Sequence, residues 1–168
     1  MSGVVKPSAQ NIGKYLNKWD SLENYILQEN SLGMLFNQYC PENKKIEHIL
    51  LKVSALNDFY STHIYDTYTV SKHILKNEID KPLRTGDLGV VNKIARVSTK
   101  GKTRNFYSFA TKYCSHHKHD QYPIYDSYVE KMLWHYKKTD VFFAFLKTDL
   151  KIYPSFIEVI NRFKDYYQ

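Results

Sequence analysis

The chain has 168 residues, 43% hydrophobic and 15% aromatic, a globular composition that excludes an intrinsically disordered chain. Its 24 Lys and Arg against 17 Asp and Glu give a net charge of +7, which favours a polyanionic partner. No stretch approaches ~18 apolar residues, residues 1–20 lack the apolar centre of a signal peptide, and no membrane partner is expected.

The two cysteines, Cys40 and Cys114, make no disulfide framework, so a reducing, cytoplasmic location is expected. One domain over residues 1–168 suits the length. Residues 1–8 read as a lead-in. Ile12, Tyr15, Leu16 and Trp19 then share one helical face within 11–19, and Asp20 or Ser21 is placed to cap a second helix bearing Leu22, Tyr25 and Ile26. A brief third helix is expected from Ser31 through Leu35 and Phe36, ended by Pro41.

Residues 42–60 carry a continuous apolar stripe of Ile46, Ile49, Leu50, Val53, Leu56 and Phe59. Asp66 or Thr67 opens the next helix, with Val70, Ile74 and Leu75. Residues 77–87 read as a loop punctuated by Pro82 and Gly86. A helix is expected over 88–97, then a tight turn at 99–102, then a helix from Thr103 that buries Phe106, Phe109, Ala110, Tyr113 and Cys114. After a loop at 116–125, Asp126 begins a helix with Val129, Met132, Leu133 and Tyr136. An apolar run, 141–146, precedes a last helix after Pro154. Strictly alternating runs are few, and the expected fold class is all-α, a compact helical bundle.

Between residues 100 and 119 the ionisable side chains include Lys100, Lys102, Arg104, Lys112 and Lys118 but no carboxylate; Asp120 and Asp126 follow. A cationic surface leading to one carboxylate at a helix start suits chemistry on a polyanion. The order helix, basic turn with a glycine, helix, loop and then Pro123-Ile124-Tyr125-Asp126 resembles the helix-hairpin-helix DNA glycosylase superfamily. The likeness is closest to the compact archaeal 8-oxoguanine glycosylases and extends to bacterial glycosylases that attack modified bases in phage DNA. It covers residues 87–136, and more weakly 42–76.

The resemblance implies a helix-hairpin-helix element that grips phosphates by backbone amides, with Asp126 beside an extruded nucleotide. It implies a cytoplasmic monomer acting on double-stranded DNA without a cofactor. The enzyme would release a modified or damaged base and leave an abasic site, with oxidised guanine as the repair substrate and a bulky modified cytosine as the antiviral one. Where the usual hairpin has two glycines, this chain has Gly101 alone. Where strand-cutting members carry a lysine, this chain has Arg104, so a monofunctional hydrolase is expected.

The roles follow from chemistry. A carboxylate such as Asp126 can stabilise the cationic sugar formed when the glycosidic bond breaks, or deprotonate water; the ordinary alternative is that it only caps a helix. Lys100, Gly101, Lys102 and Arg104 are expected to bind DNA phosphates, with Lys112, His116 and His117 adding contacts; the alternative is a solvated polar turn. Asn57, Asp58, Tyr60, His63 and Tyr65 combine rings with donors and acceptors, as reading a flipped base requires; the alternative is a partly buried helix end. Cys114, His116, His117 and His119 lack a second cluster at zinc spacing, so no metal is expected. A non-catalytic helical DNA- or RNA-binding module is the main alternative, and a small nuclease or toxin lacks a metal-carboxylate cluster.

Overall fold

Apolar residues at three- and four-residue spacing make most of this chain helical, seen here in a computed structural model that describes residues 4–99 and 101–168. In chain order the helices are α1 (Ala9–Asp20), α2 (Glu23–Met34), α3 (Ile46–Phe59), α4 (Thr67–Lys76), α5 (Asp80–Thr85) and α6 (Gly89–Ala95). A two-stranded ribbon follows, β1 (Arg96–Thr99) and β2 (Lys102–Asn105), then α7 (Tyr107–His117), α8 (Ser127–Thr139) and α9 (Tyr153–Tyr167). The described residues gather into two compact units. One comprises the described part of Met1–Asn30 with Ser127–Gln168, and the other is Ser31–Asp126.

Three local expectations are corrected. Ser31 does not start a helix: α2 runs through it to Met34 and widens into a π turn over Leu35–Tyr39. The loop expected at 77–87 contains α5, stopped by Gly86 at φ 72°, where an added Cβ would also meet Gln121 Oε1 at 3.3 Å. The helix expected from Thr103 starts four residues later, because 96–105 is an antiparallel ribbon with Val97 opposite Arg104 and Thr99 opposite Lys102. Valine and threonine suit extended backbone, and Gly101 before β2 takes φ 76° in the left-handed region. The Phe106 amide donates to the Ala95 carbonyl at 2.8 Å, closing the ribbon's base against α6.

In the 31–126 unit, α3 packs on α4 and α6 on α7. The core combines Phe36, Ile49, Val53, Leu56, Ile74, Val90, Ile94, Phe109 and Tyr113. At its centre lies Lys52, fully buried on the apolar stripe of α3. A buried ammonium is tolerable only when its N–H groups are satisfied. Lys52 Nζ donates to Asn43 Oδ1 at 2.7 Å and to the Glu42 carbonyl at 3.3 Å, and sits 3.2 Å from His117 Nε2. The rings of Phe36 and Tyr113 lie 5.4 and 5.6 Å from the same ammonium.

Asn43 is the hub of this network. Its Oδ1 accepts from Lys52 and, at 2.5 Å, from the Tyr113 hydroxyl. Its backbone and side-chain amides both donate to the Asp80 carboxylate, the side chain at 2.7 Å. Asp80 therefore offsets the Lys52 charge through an amide rather than by direct contact. Burial still lowers the Lys52 ammonium from its usual range to about 8, with the Asp80 charge acting in the opposite sense.

In the other unit, Ser8 caps α1 by accepting the Asn11 amide at 3.2 Å. Leu133 and Tyr136 of α8 are buried, as are Tyr153, Phe156 and Val159 of α9, and the Tyr136 hydroxyl reaches the Val5 carbonyl at 2.6 Å. Glu130 holds Lys147 at 3.0 Å and Lys151 at 2.8 Å, tying the turn before α9 to α8. Cys40 and Cys114 are buried and free. Among the described residues no helix is long and apolar enough to cross a membrane.

Asn43→Ala should cost about 3–5 kcal/mol, because it strips partners from a buried ammonium, a carboxylate and a phenol at once. Lys52→Met should cost distinctly less, since Asn43 Oδ1 keeps Tyr113 and Asp80 keeps both amides. Urea unfolding of the two variants gives the order; a larger loss in Lys52→Met would place the hub at the lysine instead.

Candidate functional site

The ribbon and α7 form one side of a cleft of about 280 Å³, and the turn after α3 forms the other. Tyr60, Ser61 and Thr62 come from that turn; Asn105, Phe106, Ser108 and Lys112 come from the ribbon end and α7. Asn57 shapes the turn, its Oδ1 accepting from the Thr62 hydroxyl and the Ile64 amide, both at 2.8 Å. Ser61 and His63 adopt φ 47° and 58°, a left-handed backbone that costs non-glycine residues on the order of 1 kcal/mol each.

Lys112 stands inside the cleft, 5% exposed, and donates to Ser108 Oγ at 2.7 Å. Its ammonium lies 5.3 Å from the centre of the Tyr60 ring. Burial lowers its pKa, and the negative charge of Asp126 works against that shift. The Tyr60 hydroxyl is 3.1 Å from His116 Nε2, whose ring packs on Phe36.

Asp126 is half-buried at the end of a segment pinned to α7. The Tyr125 amide donates to Thr111 Oγ1 at 3.1 Å, that hydroxyl donates to the Tyr125 carbonyl at 3.3 Å, and the Tyr125 ring packs on Tyr107 with centroids 4.9 Å apart. Thr111 and Lys112 are adjacent, so this clasp sets Asp126 within electrostatic range of the ammonium.

The expected site residues divide accordingly. Tyr60 and Lys112 line the cleft together, Asp126 acts on Lys112 through its charge without lining the cleft, and the Tyr60 hydroxyl meets His116. Asn57 serves the turn rather than the cleft. Asp58, His63 and Tyr65 are exposed and line none of it, Tyr65 at 87% exposure. Lys102 and Arg104 are exposed on one ribbon face, two residues apart, with Gly101 open at the tip; Arg96 adds an exposed cation on the other face. Lys100 lies outside the described residues.

Two of the expected DNA contacts are relocated. Lys112 is buried in the cleft rather than exposed on a cationic surface, because it follows Phe109 by three positions on the inward side of α7. His117 faces the core network, where Nε2 meets Lys52 and, at 3.3 Å, Asn43 Nδ2. Both neighbours are donors, so Nε2 accepts and the ring proton sits on Nδ1. Burial, reinforced by the Lys52 and His116 charges, holds the His117 pKa well below its usual range. Burial pushes the Cys114 thiol far above its usual range, and among the described residues no group of three or more His, Cys, Asp or Glu side chains could hold a metal ion.

Sequence reasoning missed Lys112 as a cleft residue and Lys52, Asn43 and Asp80 as a network. The signal for both lysines was periodic: Lys52 falls three after Ile49 and four before Leu56, and Lys112 three after Phe109.

These features define a predominantly helical protein with a buried-lysine cleft at the foot of a basic ribbon. Residues 11–121 match the family HI_0787_N, described as an N-terminal domain. A Haemophilus influenzae protein, titled only as uncharacterized, is 41% identical over 145 residues, which cover 83% of this chain and 72% of that protein. The chain belongs to the HI_0787_N family. No solved structure matches it.

The His117 geometry makes stability pH-dependent. The folded protein keeps the ring neutral where the unfolded chain, with a pKa near ~6.5, takes up a proton. The stabilisation is therefore complete above about pH 6.5 and falls as pH drops below it, by up to about 1.4 kcal/mol per unit, until the folded protein is protonated too. Urea midpoints at pH 7.5 and 5.5 should show this loss, and His117→Gln should flatten it.

Proposed function

We propose that this protein is a DNA glycosylase that extrudes a modified or damaged base from double-stranded DNA and releases it, leaving an abasic site. The observation that carries the reading is a cleft that holds the buried Lys112 ammonium against the Tyr60 ring, with the charge of Asp126 acting on that ammonium and exposed Lys102 and Arg104 on the ribbon beside it. In this reading α6, the ribbon tip at Gly101 and α7 take the part of the helix-hairpin-helix element, and the ribbon cations neutralise phosphates. Tyr60 and Phe106 offer ring faces to the flipped base, and Asn105 and the hydroxyls of Ser61 and Thr62 offer donors and acceptors for its edge.

Asp126 acts as the electrostatic partner of the cationic sugar or as the base for water. Lys112, as an ammonium, sets a positive charge within electrostatic range of that carboxylate. A resident cofactor has no part in these steps.

One observation favours a second reading, in which strand cleavage accompanies base release. Lys112 has what a Schiff-base amine requires: burial, a lowered pKa and a neighbouring carboxylate to accept its proton. Exposed Lys102 lacks that environment, and the guanidinium of Arg104 is a poor nucleophile.

The test is incubation with duplexes carrying oxidised, alkylated and phage-type modified bases, followed by alkali. Alkali-labile abasic sites are expected from at least one duplex, and Asp126→Asn should reduce their formation on the order of 10²-fold or more while binding persists. Full activity in Asp126→Asn would reduce Asp126 to a structural residue. Lys102→Ala with Arg104→Ala should weaken binding to all sequences alike and flatten the plot of log affinity against log salt by roughly one unit per lost contact. Borohydride separates the two readings: hydrolysis leaves no adduct, whereas cleavage by the buried amine gives an adduct lost in Lys112→Ala and kept in Lys102→Ala.

A further inference from the structure

Helix α1 buries none of its residues, although its sequence is strongly amphipathic. Ile12, Tyr15, Leu16 and Trp19 form one continuous face, and each is between 42% and 59% exposed. Beside it, Tyr128 and Met132 of α8 are 75% and 41% exposed. The ridge and its neighbour bound an almost wholly apolar groove of about 620 Å³, floored by Leu133, Tyr136 and Phe163. All of these residues belong to the unit formed by the first 30 and last 42 residues. Scattered exposed apolar side chains need no explanation, but a contiguous patch with a groove does.

We propose that a second copy of the chain docks on this face, giving a two-fold symmetric dimer in which α1 of each protomer lies in the groove of the other. Three features select this occupant. The first is area: large apolar side chains present roughly 150–250 Å² each, so the three aromatic and three aliphatic residues at these exposures offer on the order of 700 Å². That approaches the ~800 Å² per partner of a stable interface.

The second is shape. An isologous contact needs one patch to supply both the knob and the hole, and here the α1 ridge stands next to the groove it would fill in its partner. The third is charge. In a chain of net charge +7, self-association is favoured where like charges do not meet. Among the described residues lining the groove only Lys6 is charged, while Lys14 and Lys18 lie off the apolar face of α1. The composition, two tyrosines with Trp19 and Met132, is that of an interface centre. The monomer expected from sequence gives way, in this proposal, to a dimer whose contact lies outside the DNA-facing cleft residues.

Sedimentation equilibrium of the whole chain from roughly 1 to 100 µM is the test. The expected result is twice the chain mass at the upper concentrations. Leu16→Asp and Tyr128→Asp should each raise the dimer dissociation constant by at least about tenfold, the effect of losing a central apolar anchor. Neither position is buried, so helix content by circular dichroism should be unchanged in both. A chain that stays monomeric across the range overturns the proposal, as does a dimer that both variants leave intact. A monomer that instead floats with lipid vesicles overturns it in favour of a membrane surface.

Discussion

Asn43 holds the 31–126 unit together by giving a buried ammonium and a partly buried carboxylate a shared amide. Without it, Lys52 would be a charge in a hydrocarbon core with one carbonyl and a histidine for company. With it, four segments meet at one point: the chain before α3, α3 itself, the start of α5 and the end of α7. Buried ionic groups are weak contributors to net stability, but an arrangement with many simultaneous distance requirements admits few alternative packings. The network fixes the register of α7 against α3, and the Tyr60–Lys112 cleft depends on that register.

The cleft is built by two further constraints on either side. Asn57 folds the end of α3 into a turn with two left-handed non-glycine residues, a conformation kept only where the surroundings over-determine it. Thr111 clasps Tyr125 and so fixes Asp126 beside the next residue of α7. Backbone strain and a doubly bonded hydroxyl together bring Tyr60, Lys112 and Asp126 into one neighbourhood across 66 residues of sequence.

The helices at 9–20, 46–59, 67–76, 127–139 and 153–167 were legible because their apolar faces repeat at helical spacing, and in two of them because the start carries Asp66 or Pro154. The ribbon was not, because its strands are short and mostly polar, with Val97 alone among their residues fully buried. Helix α5 was hidden by Pro82, which reads as a break although a first-turn position tolerates it. Within the candidate site, Asp126 and Tyr60 were legible as residue types in place. The inward course of Lys112 and His117 was not, since a run of cations and histidines reads as a solvated surface until the register of α7 is known.

The two buried lysines separate structure from chemistry. Both lose basicity to burial, and both lie against tyrosine rings. Lys52 has acceptors for all three of its N–H groups and no exposed surface, so any reaction there would first have to dismantle the core. Lys112 uses one N–H on Ser108 and lines an open cleft. A lowered pKa alone therefore does not mark a reactive amine, because desolvation produces it in both places. The distinguishing property is access to space a substrate can enter, and of this pair Lys112 alone combines a place in the cleft lining with a carboxylate within electrostatic reach.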